Sequence, residues 1–334
     1  MSAITDVPGV RVGHVTLIDG DGPHAVRTGV TAVIPGEDAF RRKMAAGAHV
    51  INGFGKMAGI AQVVELGRLE TPILLTNTLS VWQAGHGLVQ YVLRGDPAIG
   101  SVNPVVGECN DGYLNDIQGL HVRAEHALAA LEGAAGGPVP EGPVGAGTGM
   151  VCYGWKGGIG TASRAWAAAA LDGRPVTLGA LVLANFGRRA DLRVRGCPVG
   201  RWLAEAPPPP TSGEGGSVIV LLATDAPLTS RQLTRVARRA SAGLARTGSV
   251  HHHGSGDFAL AFSTARAYPP FLADEGELLN PFFVAAADVV EEAVLRALRA
   301  GRDMTGRGGR RVQALPWAEV EAMVTRATGR PPLD

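Results

Sequence analysis

"LARTGSVHHHGSGDFALAFSTA", residues 244–265, joins the end of an Arg-rich helical pattern to a strand-like run, with Ser249 in the turn between them. Read locally, Ser249 continues the turn that Gly248 begins at the end of a helix over 229–246, and no base lies beside it. The three histidines at 251–253 read as a solvated loop. Adjacent side chains in an extended segment alternate in direction, and no thiol or carboxylate stands beside them at ligand spacing. The other reading makes Ser249 the residue that the chain presents, and it sets a different expectation for the fold.

Outward from this stretch, runs rich in Val, Ile and Thr predict strands over 10–17, 28–35, 71–78, 101–108, 149–155, 176–185, 217–224 and 258–265. Helical periodicity falls over 57–69, 81–94, 120–132, 229–246, 280–300 and 316–328. The class is α/β. Helices do not alternate one for one with strands, and short Gly-rich links imply antiparallel neighbours, which argues against a doubly wound nucleotide fold. The stretch "EAPPPPTSGEGGS" (205–217) reads as an exposed loop, and the run after it belongs to a sheet interior, so residues 1–334 are read as a single domain.

Composition narrows the function. The net charge is +1, from 31 basic and 30 acidic side chains, so no global field favours nucleic acid or anionic lipid. No apolar run is long enough for a membrane span, and the start has neither a basic nor an apolar leader region, so a cytoplasmic protein is expected. Cys109, Cys152 and Cys197 are widely spaced and odd in number, which reads as reduced thiols. "NGFGKMAG" (52–59) fails as a phosphate loop because Met57 follows Lys56, and no serine stands in a G-x-S-x-G frame. "VVGECNDGYLND" (105–116) brings Glu108, Asp111 and Asp116 around turn-forming residues and equally fits a capped turn.

Taken together, the blocks "ITDVPGVRVGH", "NGFGKMAGIAQVVELGRLETPILLTNT", "PVVGECNDGYLND", "GAGTGMVCYGWKGGIGTASR", "LVLANFGRR", "ATDAPL", "ARTGS" and "GSGDFALAFST" resemble the DmpA-type L-aminopeptidase/D-esterase family, which includes the β-aminopeptidases. The resemblance runs through nearly the whole chain. It implies a four-layer αββα sandwich similar to the N-terminal-nucleophile hydrolases, and self-cleavage at Gly248–Ser249 into an α chain of 1–248 and a β chain of 249–334. Ser249 then heads the β chain as nucleophile, and its α-amine serves as the base. By the same resemblance Asn185 polarises the substrate carbonyl, Tyr153 stands near the nucleophile and Glu108 anchors the substrate ammonium. No metal or organic cofactor is implied. The partners expected are short peptides and amino-acid amides or esters with a free amino group, handled by a homotetramer of cleaved αβ units. A pantetheine-like or oligoamide substrate is the alternative within the family, and an uncut, non-catalytic binding protein is the alternative outside it.

In the family's β-aminopeptidase branch a serine precedes an acidic residue on the C-terminal helix, where "DVVEEA" offers Val289 or Val290. Periodicity chooses between the two glutamates. Val284, Ala287, Glu291, Val294, Leu295 and Leu298 share one face, which carries Glu291 inward and leaves the Ser249 ammonium as its expected partner. Glu292 falls on a polar stripe with Asp288, Arg296 and Arg299 and is expected in a solvated ion pair with Arg296.

Overall fold

The computed structural model describes residues 2–203, 215–266 and 275–333. The strands, in chain order, are β1 (Arg11–Asp19), β2 (Val26–Ile34), β3 (Met44–Gly53), β4 (Met57–Ala58), β5 (Arg68–Leu69), β6 (Ile73–Asn77) and β7 (Val105–Cys109). A short hairpin, β8 (Val151–Cys152) and β9 (Trp155–Lys156), precedes the long β10 (Gly158–Ala168), β11 (Arg174–Asn185), β12 (Gly215–Thr224) and β13 (Gly254–Ser263). One sheet has the order β1-β2-β6-β7-β4 and the other β10-β11-β12-β13-β3-β5. Antiparallel pairing dominates. The parallel pairs are β6 with β7 and β12 with β13.

Alternation along the strands of the second sheet explains the layering. Leu181, Leu183, Ile219, Leu221, Phe258, Leu260 and Phe262 face the first sheet, where they meet Val33, Ile73, Leu75 and Val105. The residues between them, Val182, Ala184, Val218, Val220, Leu222, Ala259 and Ala261, face outward and are equally buried. Strands apolar on both faces need a cover on both faces. Helices α1 (Val81–Leu93) and α2 (Ala124–Glu132) cover the first sheet through Val81, Leu88, Ala127 and Leu131. The second is covered by α3 (Ser230–Ala237), α4 (Ala240–Arg246), α5 (Glu275–Arg299) and α6 (Trp317–Thr328). The result is the expected αββα sandwich.

Some elements differ from the sequence expectation. β3 and β10 are long strands of the second sheet where none was predicted. β10, "GIGTASRAWAA", is made of small residues because α5 lies directly on it: a Cβ on Gly160 would stand 1.9 Å from the Ala293 carbonyl oxygen. The segment 149–155 is not one strand but takes in β8, the hairpin turn and the start of β9, and the helix expected over 229–246 is broken between α3 and α4 at Arg238–Arg239. Residues 205–214 of the expected Pro/Gly-rich loop lie outside the described residues. No helix among the described residues is long and apolar enough to cross a membrane.

Candidate active site

Ser249 stands on the turn that carries the chain from α4 into β13. The helix unwinds through bonds from Thr247, Gly248 and Ser249 N–H groups to the carbonyls of Leu244, Ala245 and Leu244, at 3.1, 3.0 and 3.2 Å. The turn is pinned from outside by Arg193 N, which donates to the Thr247 carbonyl at 2.9 Å. Gly248 has φ +102°, and a Cβ there would lie 1.9 Å from the Asp191 carbonyl oxygen. Only glycine fits that backbone in that space.

Tyr153 supports the turn from below. "CYGW" forms the β8–β9 hairpin, with Tyr153 at φ +52° and Gly154 at φ +73°, the signs that a tight two-residue hairpin turn requires. The ring is fully buried and meets Phe186 edge-on at 5.2 Å. Its hydroxyl lies 2.9 Å from Thr247 Oγ1, and Thr247 Oγ1 itself donates to the Leu244 carbonyl at 2.7 Å. Tyr153 is therefore the donor to Thr247. Burial pushes its phenol far above the usual range, so it remains a hydroxyl.

Asn185, at the end of β11, ties this hairpin to the loop after β7. Its Oδ1 accepts from Val151 N at 2.8 Å and its Nδ2 donates to the Asn110 carbonyl at 3.0 Å. One amide hydrogen is left over. Lys156, on β9, which the sequence left unmarked, ties the hairpin to the segment ahead of it: buried, it donates to the carbonyls of Gly147, Met150 and Gly157 at 3.2, 2.5 and 2.9 Å. Burial pulls its ammonium down to about 7, and pushes the neighbouring Asp111 carboxyl up to about 7.

Glu108, on β7, is almost wholly buried. Its Oε1 accepts from Lys56 N at 2.9 Å and lies 3.4 Å from Lys56 Nζ, while Thr78 Oγ1 donates to Oε2. It stands close to the start of β13, because Gly55, whose Cβ would lie 3.3 Å from Glu108 Oε1, also presses on Gly256.

The histidine run is only partly the solvated loop expected. His251 Nδ1 lies 2.7 Å from Asp257 Oδ2, Ser255 Oγ donates to Asp257 Oδ1 at 2.5 Å, and Asn52 Nδ2 donates to the His252 and His253 carbonyls. Asp257 lies six residues further on in β13. Only the strand's entry into the sheet brings it back to His251, so spacing alone gave no sign of the pair. Among the described residues no cluster of His, Cys, Asp or Glu is arranged to hold a metal ion.

The C-terminal helix corrects the periodicity argument. Its buried face is centred on Phe282, Ala286, Val289, Val290, Ala293 and Ala297, whereas Val284 is 60% exposed. A helix lying on a broad sheet buries a wide face, and Glu291 sits at the rim of that face. There, in the uncut chain, where Ser249 carries no ammonium, its partner is Arg246, at 3.4 Å, which Asp288 also holds at 2.5 Å. Glu292 is not in a solvated pair: it bridges Arg164 of β10 at 2.6 Å and the buried Arg296 at 3.5 Å.

A cavity of about 990 Å³ lies at the other end of the second sheet, where β13 leaves it, lined by Arg11, Arg42, Arg68 and Arg266 among others. Ser249 is at the end where β13 enters.

The sequence profile of peptidase family S58 matches residues 2–312. The chain belongs to that family. This S58 peptidase is 42% identical, over 97% of its own length and 88% of the relative's, to beta-peptidyl aminopeptidase BapA of Sphingosinicella microcystinivorans. Among solved structures it resembles a Burkholderia sp. beta-aminopeptidase, with TM-score 0.88 and 46% identity, covering 99% of this chain and 95% of the other. It resembles equally, at TM-score 0.88, 40% identity and the same coverage, the L-aminopeptidase D-Ala-esterase/amidase from Ochrobactrum anthropi, a prototype for the serine aminopeptidases and a new variant among the Ntn hydrolase fold. The chain is a hydrolase with that variant fold.

Proposed function

We propose that this S58 peptidase is a self-processing aminopeptidase that cuts Gly248–Ser249 and then hydrolyses the bond after a free N-terminal residue through an acyl-enzyme on Ser249. The observation that carries the reading is the turn itself. Gly248 is confined to a glycine-only conformation by the Asp191 carbonyl, on a turn fastened by Thr247, Tyr153 and Arg193 and placed just ahead of an interior strand. Cleavage converts the Ser249 nitrogen into an α-amine, which titrates at about 7.7–8.0 and serves as a base already tethered to the hydroxyl. The remaining Nδ2 hydrogen of Asn185 supplies a donor for the oxyanion. Tyr153 and Glu291 are positioning residues: Tyr153 acts through Thr247, and Glu291 acts through Arg246, three residues ahead of Ser249.

Glu108 is the anchor for the substrate's ammonium. Its contact with Lys56 Nζ is long at 3.4 Å, and the Lys56 side chain is 43% exposed, so an incoming ammonium displaces it outward. The relatives' names favour β-amino acid residues at the substrate's N-terminus. The three cysteines are buried and unpaired, in keeping with a reducing cytoplasm. We further propose a homotetramer of cut αβ units.

A denaturing gel with N-terminal sequencing of the smaller fragment tests the reading: two bands, the smaller beginning at Ser249, are expected, and one intact active band overturns it. Turnover of β- and α-aminoacyl amides, each free and N-acetylated, tests the anchor. Acetylation is expected to lower kcat/KM by about 100-fold or more, since a neutral amide cannot displace Lys56 and gains no charge-assisted bond to Glu108. Equal rates on the two would rule out that role.

A further inference from the structure

The first cleavage poses a chemical problem that turnover does not. In the uncut chain the Ser249 nitrogen is an amide donating to the Leu244 carbonyl at 3.2 Å, and it offers no basic lone pair. The hydroxyl proton needs another acceptor. Most groups around the turn are engaged: Tyr153 donates to Thr247, Glu108 holds Lys56 and Thr78, Glu291 holds Arg246, and Lys156 donates to three carbonyls. Val289 and Val290, buried on α5, carry no hydroxyl to relay a proton.

His251 differs from all of these. Its backbone N–H donates to Ser249 Oγ at 3.3 Å, a serine turn that holds the reacting oxygen beside this residue. At φ +53° the chain doubles back immediately after Ser249. The ring is anchored by Asp257, which is 1% exposed and whose other oxygen accepts from Ser255. A carboxylate can only accept, so Nδ1 carries the hydrogen and Nε2 carries the lone pair. Nε2 is buried and has no hydrogen-bond partner among the described residues.

We propose that His251, oriented by Asp257, is the base of the maturation step. Once the Ser249 hydroxyl turns to Nε2, which holds no partner among the described residues of the uncut chain, Nε2 takes its proton while Oγ bonds to the Gly248 carbonyl carbon. The Gly248–Ser249 C–N bond then breaks, and the proton passes from Nε2 to the departing nitrogen, leaving an ester on Oγ and a free α-amine. Water adds to the ester carbonyl, the C–Oγ bond breaks and one water proton returns to Oγ, releasing the Gly248 carboxyl group. From then on the α-amine is the base for substrate. The inference rests on the reading of Ser249 as the self-cleaving nucleophile.

Pulse–chase of newly synthesised full-length chain, read on denaturing gels, tests it with wild type, Ser249→Ala, His251→Gln and His251→Gly. Processing of His251→Gln is expected to be about 100-fold slower than wild type, a loss larger than the loss in kcat of the fraction that has matured. Added imidazole should restore processing of His251→Gly at least about tenfold, which a purely structural role of the side chain would not allow. Wild-type processing in both His251 variants, or slow processing that imidazole leaves unchanged in a His251→Gly chain with a native melting transition, overturns the assignment to His251 alone. Processing of Ser249→Ala overturns the underlying reading instead. If Gln does not fold, imidazole rescue of the Gly variant decides.

Discussion

The two ends of strand β13 differ in how their polar groups are used. Where the strand leaves the sheet, Arg11, Arg42, Arg68 and Arg266 line a cavity of about 990 Å³, and their side chains form no ion pair among the described residues. Where it enters, the polar groups are engaged with one another. Tyr153, Asn185, Glu108, Lys156 and Asp257 are buried and hydrogen-bonded, and Tyr153 and His251 both hold positive φ. Volume is thus a poor guide to chemistry here. The strain and the engaged buried groups mark the end where geometry is fixed, and fixed geometry is what covalent catalysis requires.

The sharpest way to break this contrast is to substitute one residue at each end. Ser249→Ala is expected to remain a single chain without measurable hydrolysis, whereas Arg42→Ala and Arg68→Ala should change kcat/KM by less than about twofold, since a distant exposed charge contributes little to a neutral reaction centre. Processing gels and initial rates check both. A rate loss in the arginine variants comparable with that of Ser249→Ala would couple the two ends.

Gly248→Ala comes next. The added methyl meets the Asp191 carbonyl and must accept φ +102°, so a loss of roughly 2–4 kcal/mol in stability is expected together with arrested processing. Denaturant melts of the uncut variant against uncut Ser249→Ala measure it. Among the carboxylates of α5, Glu291→Gln should slow hydrolysis by at least about tenfold, a barrier change near 1.4 kcal/mol. Glu292→Gln should leave kcat within about twofold and lower stability by roughly 1–2 kcal/mol, because Arg164 and Arg296 lose their shared partner. Kinetics and melting of both variants separate the roles.

The smallest effect is a pH slope. Asp111 is raised from 3.8 to about 7, so between about pH 4 and 7 the folded chain holds a proton that the unfolded chain has lost, and stability falls as pH rises through that window. Lys156, lowered from 10.5 to about 7, acts in the opposite sense: from about pH 7 to 10 the unfolded chain holds the extra proton and stability rises. Asp111→Asn should flatten the acid limb and Lys156→Met the alkaline limb in melting temperature against pH.

Much of the sandwich was legible because β11, β12 and β13 are apolar on both faces, a pattern with few alternatives. β3 and β10 were not legible, since "MAAGAHVING" and "GIGTASRAWAA" gave up their large side chains to let helices approach, and periodicity has nothing to read in alanine and glycine. Ser249, Tyr153, Asn185 and Glu108 came from blocks of resemblance, not from spacing, because the residues that surround the turn come from β7, β8–β9, β11 and β13. His251 was set aside because its partner is brought back only by the sheet. Glu291 and Glu292 are about equally covered, at 20% and 16% side-chain exposure, and in the uncut chain Glu291 pairs with Arg246, which lies on a helix that the periodicity of α5 does not see.

The position of β13 has a consequence for reversibility. The strand lies between β12, to which it runs parallel, and β3, to which it runs antiparallel, so it is held on both edges along most of its length. A cut after Gly248 therefore leaves the two pieces locked together while folded, and the nick alone gives them no route apart. Once denatured, however, the cut protein is two molecules. The strand that must enter the middle of the sheet then arrives from solution, and recovery becomes dependent on concentration. On the proposed processing, the uncut chain would refold as one molecule, whereas the cut enzyme would be kept native chiefly by the slowness of its unfolding.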